Sequence, residues 1–189
     1  MKIKNLFGVA LMGALFAQGA TAEGGAGVQV AAFGGQQRLR IDHDRLITDE
    51  TMRMDTAWMG LEIGYRFAPG LLIEGGYGYS VHEDWFAFNQ DESLDLHHHS
   101  LALGWQFENE GWQFTPKAGV IRSKLNSEQR LLFNDNGGRT DKYYATVPFA
   151  EAQLLKRLGD RWTLGFTVRD VREEFGHTRA WGVVASLRL

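Results

Sequence analysis

The chain has 189 residues, a formal net charge of -3, no cysteine, and 44% hydrophobic residues, with 12% of the chain aromatic. This length suits one domain, and because the charge shows no basic excess, a nucleic-acid partner is not expected. Without cysteine the chain can form neither a disulfide nor a thiolate metal site.

The N-terminus has the pattern of a secretory signal. Lys2 and Lys4 precede an apolar run over residues 6–17, and residues 20–22 (Ala-Thr-Ala) are the small residues that a signal peptidase recognises. The apolar run is shorter than the roughly 18 residues that a transmembrane helix needs, and no later segment reaches that length. We therefore expect a cleaved signal peptide over residues 1–22 and one mature domain over residues 23–189.

The first predicted strand covers residues 27–41, GVQVAAFGGQQRLRI, where apolar and polar residues alternate only loosely. Gly34 and Gly35 suggest a β-bulge that would change which face the later residues occupy. Residues 42–54 are polar and charged, and they are predicted to form a long loop.

The clearest pattern is a hairpin over residues 57–81. Every second residue from Ala57 to Phe67 is apolar, and the same period returns from Leu71 to Val81 after the turn Ala68-Pro69-Gly70. One face of the hairpin is therefore apolar, and the other is small and charged. Each arm has about ten residues, which is enough for a tilted strand to cross a bilayer.

Five further strands with the same period are predicted at residues 100–107, 112–125, 143–155, 161–170 and 179–189. The segments between them, including residues 82–99 and 126–142, are polar and are predicted as turns and loops. The residues of a strand face inward and outward alternately, and we call this assignment its parity. In the strand over 143–155, Glu151 is assigned inward, because the opposite parity would place its carboxylate in hydrocarbon at a cost of a few kcal/mol. In the strand over 112–125, Trp112, Phe114 and Val120 are assigned to the outer, apolar face.

The connections alternate in length along the chain. Tight turns lie near Pro69, Asn109 and Gly159, whereas long polar loops lie near residues 48, 90, 135 and 175. This alternation predicts an all-β fold, an eight-stranded antiparallel up-and-down transmembrane β-barrel with periplasmic turns and extracellular loops. The alternative is a soluble eight-stranded lipocalin-like barrel, which would hold the aromatic face inside and leave Glu62 and Lys117 in water.

Several segments resemble a known family. FTPKAGV, VPFAEAQLL and the closing GDRWTLGFTVRD to WGVVASLRL are similar to the OmpA-like and OmpX-like small outer membrane β-barrels over essentially the whole mature chain. The resemblance implies a multi-pass barrel in the Gram-negative outer membrane, surrounded by lipid and lipopolysaccharide and folded by the barrel-assembly machinery. Leu189 stands where the family usually has an aromatic residue, and we expect no C-terminal peptidoglycan-binding domain of the kind that larger members carry. We expect a monomer.

The interior of an eight-stranded barrel is filled by side chains, so an open pore is not expected. A buried carboxylate must be paired, and a lumen ion-pair network is therefore predicted. Its members are Glu62, Arg66, Glu74, Lys117 and Glu151, and Arg169 and Arg188 are further inward candidates. Inward glycines such as Gly76 and Gly104 would leave room for the long charged side chains. The resemblance implies the same filling. A catalytic use of the paired carboxylates is the alternative, but a filled lumen offers no route for a substrate.

The segment around His97, His98 and His99 also carries acidic residues, so it could bind a divalent cation through imidazole and carboxylate groups. Because strand residues alternate, at most His97 and His99 would point the same way. A solvated polar loop is the favoured interpretation, and no metal site or cofactor is predicted.

No catalytic residue is predicted, although two classes of barrel enzyme share features with the chain. His98-x-Ser100 is similar to the His-x-Ser-Asn motif of the lipid A deacylase barrels, but Leu101 replaces the Asn and Ser100 has inward parity. A catalytic serine also needs a positioned base and an orienting group. Omptin-type proteases use Asp and His at the barrel rim, but they have ten strands. The residues that could imitate them are Asp42, His43, Asp44 and His177.

Basic residues mark the loop ends of the predicted strands. Arg122, Lys124, Arg172 and Arg179 face outward by parity, and strand one adds Arg38 and Arg40. Lipopolysaccharide carries its phosphates at this height, and Arg and Lys pair well with phosphate. Arg122, Lys124, Arg172 and Arg179 are therefore possible lipopolysaccharide contacts. The alternative is that these charges only mark the boundary between membrane and water.

Three functions remain open from the sequence. The leading one is a non-enzymatic barrel that contributes to envelope integrity or to surface interaction, such as adhesion, host-factor or lipopolysaccharide contact, through its loops. A narrow channel is second, and a lipid A-modifying enzyme is third.

Overall fold

The computed structural model describes residues 26–41, 52–83, 91–130, 139–173 and 176–189, and the predicted signal peptide lies outside them. Within these ranges no helix is long and apolar enough to cross a membrane. The strands are β1 (Gly27–Ile41), β2 (Met52–Arg66), β3 (Leu71–Glu83), β4 (Asp91–Trp105), β5 (Phe107–Asn109), β6 (Trp112–Arg130), β7 (Arg139–Leu158), β8 (Trp162–Glu173) and β9 (Gly176–Arg188).

Antiparallel pairing closes these strands into a barrel. Neighbours in sequence pair with each other except β4 and β5, and in addition β1 pairs with β9 and β4 pairs with β6. β5 continues β4 after Gln106 and pairs with the same strand, β6, so the two are parts of one barrel strand. The barrel therefore has eight strands, and the predicted eight-stranded antiparallel up-and-down topology is confirmed.

The two ends of the barrel differ. Short connections at residues 67–70, 110–111 and 159–161 lie at one end, which we call the turn end. The connections at the other end, the loop end, are residues 42–51, 84–90, 131–138 and 174–175. The last of them has only two residues between paired strands, so the predicted long loop near residue 175 is wrong. In outer membrane barrels the short turns face the periplasm and the long loops face the exterior.

The strands extend further at the loop end than the side-chain pattern predicts. Residues 42–54 and 82–99 are predicted as loops, but β2 begins at Met52 and β4 begins at Asp91. The predicted loop over 126–142 is likewise shortened by β6 and β7, whose ladder runs to the pair of Gln129 and Arg139. The prediction is wrong here because backbone pairing needs no alternation of side chains, and strands that project beyond a bilayer meet water on both faces.

The suggested bulge at Gly34 and Gly35 is also wrong. The two glycines pair in continuous register with Met59 and Trp58 of β2. A Cβ added at Gly35 would overlap the carbonyl oxygen of Trp181 on β9. The glycine therefore allows β1 and β9 to approach closely where the barrel closes, and it leaves the alternation of faces unchanged.

Large apolar side chains cover the exterior. Met59, Leu61 and Ile63 of β2 are 59%, 57% and 62% exposed, and Phe166 of β8 is 68% exposed. Such a continuous apolar surface is unfavourable in water, whereas it is stable in contact with the hydrocarbon chains of lipid. The soluble lipocalin-like alternative is thereby excluded, because it requires this face to lie inside.

Phe114 departs from the predicted pattern. It belongs to the outward parity of β6, yet it is buried. Its ring stacks against that of Phe107 in β5, with 6.4 Å between centroids, at the place where β5 continues β4 after Gln106. The packing of the β5–β6 corner covers a side chain that the sequence pattern places on the outer surface.

Candidate functional site

The loop-end half of the lumen holds buried polar side chains, such as those of His98 and Ser123, together with nine apolar side chains. The apolar side chains come from five of the barrel strands and form one buried cluster, in which Ile121 of β6 is completely buried. Its members are Leu39, Leu96, Ala102, Ile121, Leu125, Ala145, Val147, Phe149 and Val171. The sequence pattern predicts charged pairs inside the barrel but not this apolar layer, which closes the lumen above the charged residues.

A buried ionic cluster occupies the middle of the lumen. The Lys117 ammonium of β6 lies 3.0 Å from Glu62 Oε2 and 3.3 Å from Glu151 Oε1, and it also donates to Glu74. The four side chains are at most 4% exposed. Because β2, β3, β6 and β7 supply them, these ion pairs connect opposite walls of the barrel.

Arg169 of β8 completes this cluster. Its Nη2 lies 2.5 Å from Glu62 Oε1, and its Nε donates to Glu151 Oε2 at 2.6 Å. The guanidinium carbon also lies between 5.1 and 5.3 Å from the ring centroids of Phe33, Trp58 and Phe149. Cation–π contacts of this kind stabilise a desolvated arginine. The sequence offers Arg169 only as a further inward candidate, since parity gives its direction but not its partners.

Glycines stand opposite the long charged side chains. Glu62 pairs across the sheet with Gly76, and Lys117 pairs with Gly104. A Cβ at Gly76 would lie 3.1 Å from Glu62 Cγ, and one at Gly104 would lie 3.1 Å from Lys117 Cγ. The glycines therefore leave the space that the charged stems occupy, as the sequence predicts.

Arg66 does not join the ionic cluster, contrary to the prediction. Its Nη1 lies 2.5 Å from Glu108 Oε1, which also accepts a hydrogen bond from Arg188 at 3.0 Å, while Arg157 donates to the other carboxylate oxygen. These four residues form a separate turn-end cluster. Arg66 ends β2 beside the turn, so its guanidinium lies nearer to the turn residues than to Glu62. The sequence pattern places Glu108 in a turn and gives no sign of this role.

The His98-x-Ser100 motif does not form the arrangement of a lipid-facing nucleophile. His98 points into the lumen, and its Nδ1 lies 3.0 Å from Ser123 Oγ on β6. Ser100 also points inward, because its Oγ lies 2.6 Å from the position of a Cβ added at Gly76. A deacylase-like site needs the serine on the outer surface, where the lipid is.

The omptin-like residues are only partly described. Asp42, His43 and Asp44 lie outside the described residues, and His177 contacts Asp170 on the outer face. In the described ranges no group of three histidine, aspartate or glutamate side chains is placed to hold a metal ion.

His97 and His99 face outward, together with two tyrosines and two basic residues on neighbouring strands. Tyr77 Oη lies 2.9 Å from His97 Nδ1, and the Tyr77 ring lies 5.1 Å from that of His99. His99 pairs in register with Arg122, and His97 pairs with Lys124. We call this surface the β3–β4–β6 face, formed by Tyr77, Tyr79, His97, His99, Arg122 and Lys124.

The four predicted lipopolysaccharide contacts therefore fall into two groups on either side of β7. Arg122 and Lys124 belong to the β3–β4–β6 face, whereas Arg172 and Arg179 lie on β8 and β9. The second group has acidic neighbours, because Arg179 is paired in register with Asp170 and with Arg38, which bonds to Asp55 at 2.8 Å. The direct cross-strand partners of the first group carry no acid: they are His99 and Thr146 for Arg122, and His97 and Tyr144 for Lys124. The face does hold one acid, Asp95 of β4, which accepts a hydrogen bond from Tyr79 at 3.3 Å.

Comparison with known proteins identifies the fold. No protein-family model and no curated sequence matches the chain. Among solved structures, the chain is similar to Ail, the attachment invasion locus protein of Yersinia pestis, in complex with the heparin analogue sucrose octasulfate. The TM-score is 0.62 and the sequence identity is 14%, and the match covers 88% of this chain and 100% of that one. It is also similar to Neisserial surface protein A (TM-score 0.56, 14% identity, 88% and 100% covered) and to the N-terminal β-barrel domain of Pseudomonas aeruginosa OprF (0.54, 14%, 90% and 99%). The fold is that of the small outer membrane β-barrels, as the resemblance implied.

Proposed function

We propose that this chain is a non-enzymatic, monomeric barrel of the Gram-negative outer membrane that presents surface loops and contacts lipopolysaccharide at its loop end. The observation that carries the proposal is the distribution of side chains. Exposed apolar residues surround the barrel, while charged and apolar side chains fill its interior. A protein with this surface requires lipid. The proposal includes assembly by the barrel-assembly machinery, as the family resemblance implies.

The filled lumen supports a role other than transport or catalysis. The middle of the barrel is bridged from wall to wall by Lys117 and Arg169, and the apolar cluster lies above them. A solute would have to separate buried ion pairs, and separating such a pair is strongly unfavourable. Specific recognition is therefore expected from the loops, because binding residues in many proteins lie on loops that a rigid scaffold holds in place.

The β3–β4–β6 face is the part of the loop end best suited to a phosphate. Arg122 is exposed and Lys124 is partly exposed, and their cross-strand partners leave both charges available to an outside anion. Tyrosine rings beside them suit the boundary between hydrocarbon and headgroups. The complex of Ail with a polysulfated sugar supports the view that a barrel of this fold can carry a site for a polyanion.

The two basic groups should contribute unequally to lipopolysaccharide binding. Replacing Arg122 and Lys124 with glutamine should remove most of the lipopolysaccharide that co-purifies with the barrel, measured as 3-hydroxy fatty acids per protein. Replacing Arg172 and Arg179 should have a smaller effect, because Arg179 already has the carboxylate of Asp170 as its cross-strand partner. Arginine or lysine exchange at the same positions should preserve binding through the retained charge.

The matched control uses two basic residues at the other end of the barrel, the partly exposed Lys156 and the exposed Arg161, in the variants Lys156→Gln and Arg161→Gln. They change the net charge equally and should leave lipopolysaccharide unchanged. If the Arg122 and Lys124 double variant retained its lipopolysaccharide while migrating as a folded barrel, the lipopolysaccharide proposal would be wrong, and these charges would only mark the edge of the membrane.

A further inference from the structure

The turn end carries a second concentration of positive charge, which the proposed function does not use. Three guanidinium groups, from Arg66, Arg157 and Arg188, share the single carboxylate of Glu108. Within this turn-end cluster the charges therefore sum to an excess of two positive charges. Arg66 Nε and Nη2 are buried and have no hydrogen-bond partner among the described residues.

A narrow cleft of about 10 Å³, room for about one water-sized oxygen atom, opens directly beside this cluster. Gln29 and Gln113 line its inner side, Arg157 and Arg188 line it from the turn-end cluster, and Arg161 and Trp162 line its outer side. Glu108 holds Arg157 and Arg188 by one hydrogen bond each, so the cleft is built on side chains that are already positioned. Asp160 also lines the cleft, and its negative charge balances the positive charge of Arg161. The two excess positive charges of the turn-end cluster therefore remain unbalanced by the residues that line the cleft.

The chemistry of this cleft fits an anion with several acceptor oxygens. Guanidinium groups match phosphate and carboxylate oxygens by paired N–H donors, and the amides of Gln29 and Gln113 can add neutral hydrogen bonds. We propose that the cleft receives one oxygen of the phosphate of an anionic phospholipid headgroup in the periplasmic leaflet of the membrane, while the other phosphate oxygens lie at its exposed rim beside Arg161.

The position of the cleft favours a lipid over a soluble anion. Trp162 lines it and is 53% exposed, and Trp112 and Leu158 are similarly exposed at the same end of the barrel. Exposed tryptophans of a barrel lie at the level of the headgroups. Lys156 also lies here, 5.0 Å above the Trp112 ring, with its ammonium bonded to the carbonyl oxygen of Glu110. The cleft therefore connects the lumen-side arginines with the surface where lipid headgroups end.

The test uses the folded full-length barrel in detergent micelles and native mass spectrometry with added dimyristoyl phosphatidylglycerol. We expect the wild-type protein to retain one phosphatidylglycerol in preference to phosphatidylcholine. Arg161→Gln removes a cleft donor without disturbing Glu108, and it should weaken retention about tenfold, the loss expected for one hydrogen bond to a charged group. Arg161→Lys should keep most of the binding.

A second variant protects the test against loss of folding. Arg157→Gln removes a second cleft donor and leaves Glu108 bonded to Arg66 and Arg188, so the buried Arg66 guanidinium keeps its partner, and heat-modifiable gel migration reports whether the barrel has formed. This variant should lose the lipid too, while Arg122→Gln at the loop end should keep it. Equal retention by the wild type and both cleft variants would overturn the site. Displacement of the phosphatidylglycerol by millimolar inorganic phosphate would overturn the lipid assignment, because the cleft would then be a site for a soluble anion.

Discussion

Lys117 Nζ lies 3.0 Å from Glu62 Oε2, although the two residues are 55 positions apart and belong to strands that are not neighbours in the barrel. The hydrogen bond spans the lumen. Arg169 of β8 also donates to Glu62, at 2.5 Å. The carboxylate of Glu62 on β2 is therefore bonded to side chains from two other strands, β6 and β8. The interior is thus held by long-range charge pairing as well as by the backbone ladders of the sheet.

Replacement of Lys117 with methionine should destabilise the barrel strongly. The change leaves three buried carboxylates with one remaining cation, and breaking a buried pair in this way typically costs about 3–5 kcal/mol. Urea unfolding of the refolded protein in detergent, followed by tryptophan fluorescence and by heat-modifiable migration, measures the loss.

The matched control removes one carboxylate at the same time. The double variant Lys117→Met with Glu74→Gln leaves Glu62 and Glu151 paired with Arg169, and it should recover a large part of the lost stability. An unfolding midpoint for the single variant equal to that of the wild type would show that the network does not contribute to the stability of the barrel.

Replacement by alanine should change the unfolding free energy differently at two adjacent glycines of β3. At Gly76 a Cβ would lie 2.6 Å from Ser100 Oγ and 3.1 Å from Glu62 Cγ, so Gly76→Ala should lower the unfolding free energy by about 1–3 kcal/mol. At Gly75 the nearest atom is a backbone oxygen 3.9 Å away, so Gly75→Ala should be neutral or slightly stabilising. The comparison requires only the two single variants in the same unfolding assay. Equal losses for both would indicate that glycine matters here for the backbone and not for the space beside Glu62.

The filled lumen predicts the absence of steady ion conductance. The apolar cluster around Leu39, Ile121 and Leu125 and the ion pairs of Lys117 lie in series along the barrel axis, so an ion would have to cross both. Planar lipid bilayers with the reconstituted protein should show the baseline of protein-free bilayers. Reproducible single-channel steps would instead favour the narrow channel, and the proposal of a closed scaffold would fail.

The orientation of the barrel can be tested with single cysteines, because the natural chain has none. Lys142 is exposed near the loop end of β7, and Asp160 is exposed in the turn between β7 and β8. On intact cells a bulky polyethylene-glycol maleimide, an impermeant label, should modify Lys142→Cys but reach Asp160→Cys only after the outer membrane is permeabilised. The reverse labelling pattern would place the turns outside and would remove the basis for lipopolysaccharide contact at Arg122.

The sequence alone determined the architecture, because an alternation of period two is a local property of a strand. The parity from Ala57 to Phe67 and from Leu71 to Val81 identified a lipid-facing row, and the unequal connections predicted eight strands with distinct ends. The inward direction of Glu62, Lys117 and Glu151 followed from the same parity, and the structure places all three in the lumen.

The tertiary structure decided which inward residues meet. Strand tilt and register set the height of each side chain, and these are properties of the closed barrel that no single strand encodes. For this reason Arg66 bonds to Glu108 at the turn end, although parity grouped it with Glu62, and Arg169 reaches Glu62 from across the lumen. Barrel closure likewise separated Arg122 and Lys124 from Arg172 and Arg179, which the sequence could describe only as four outward charges.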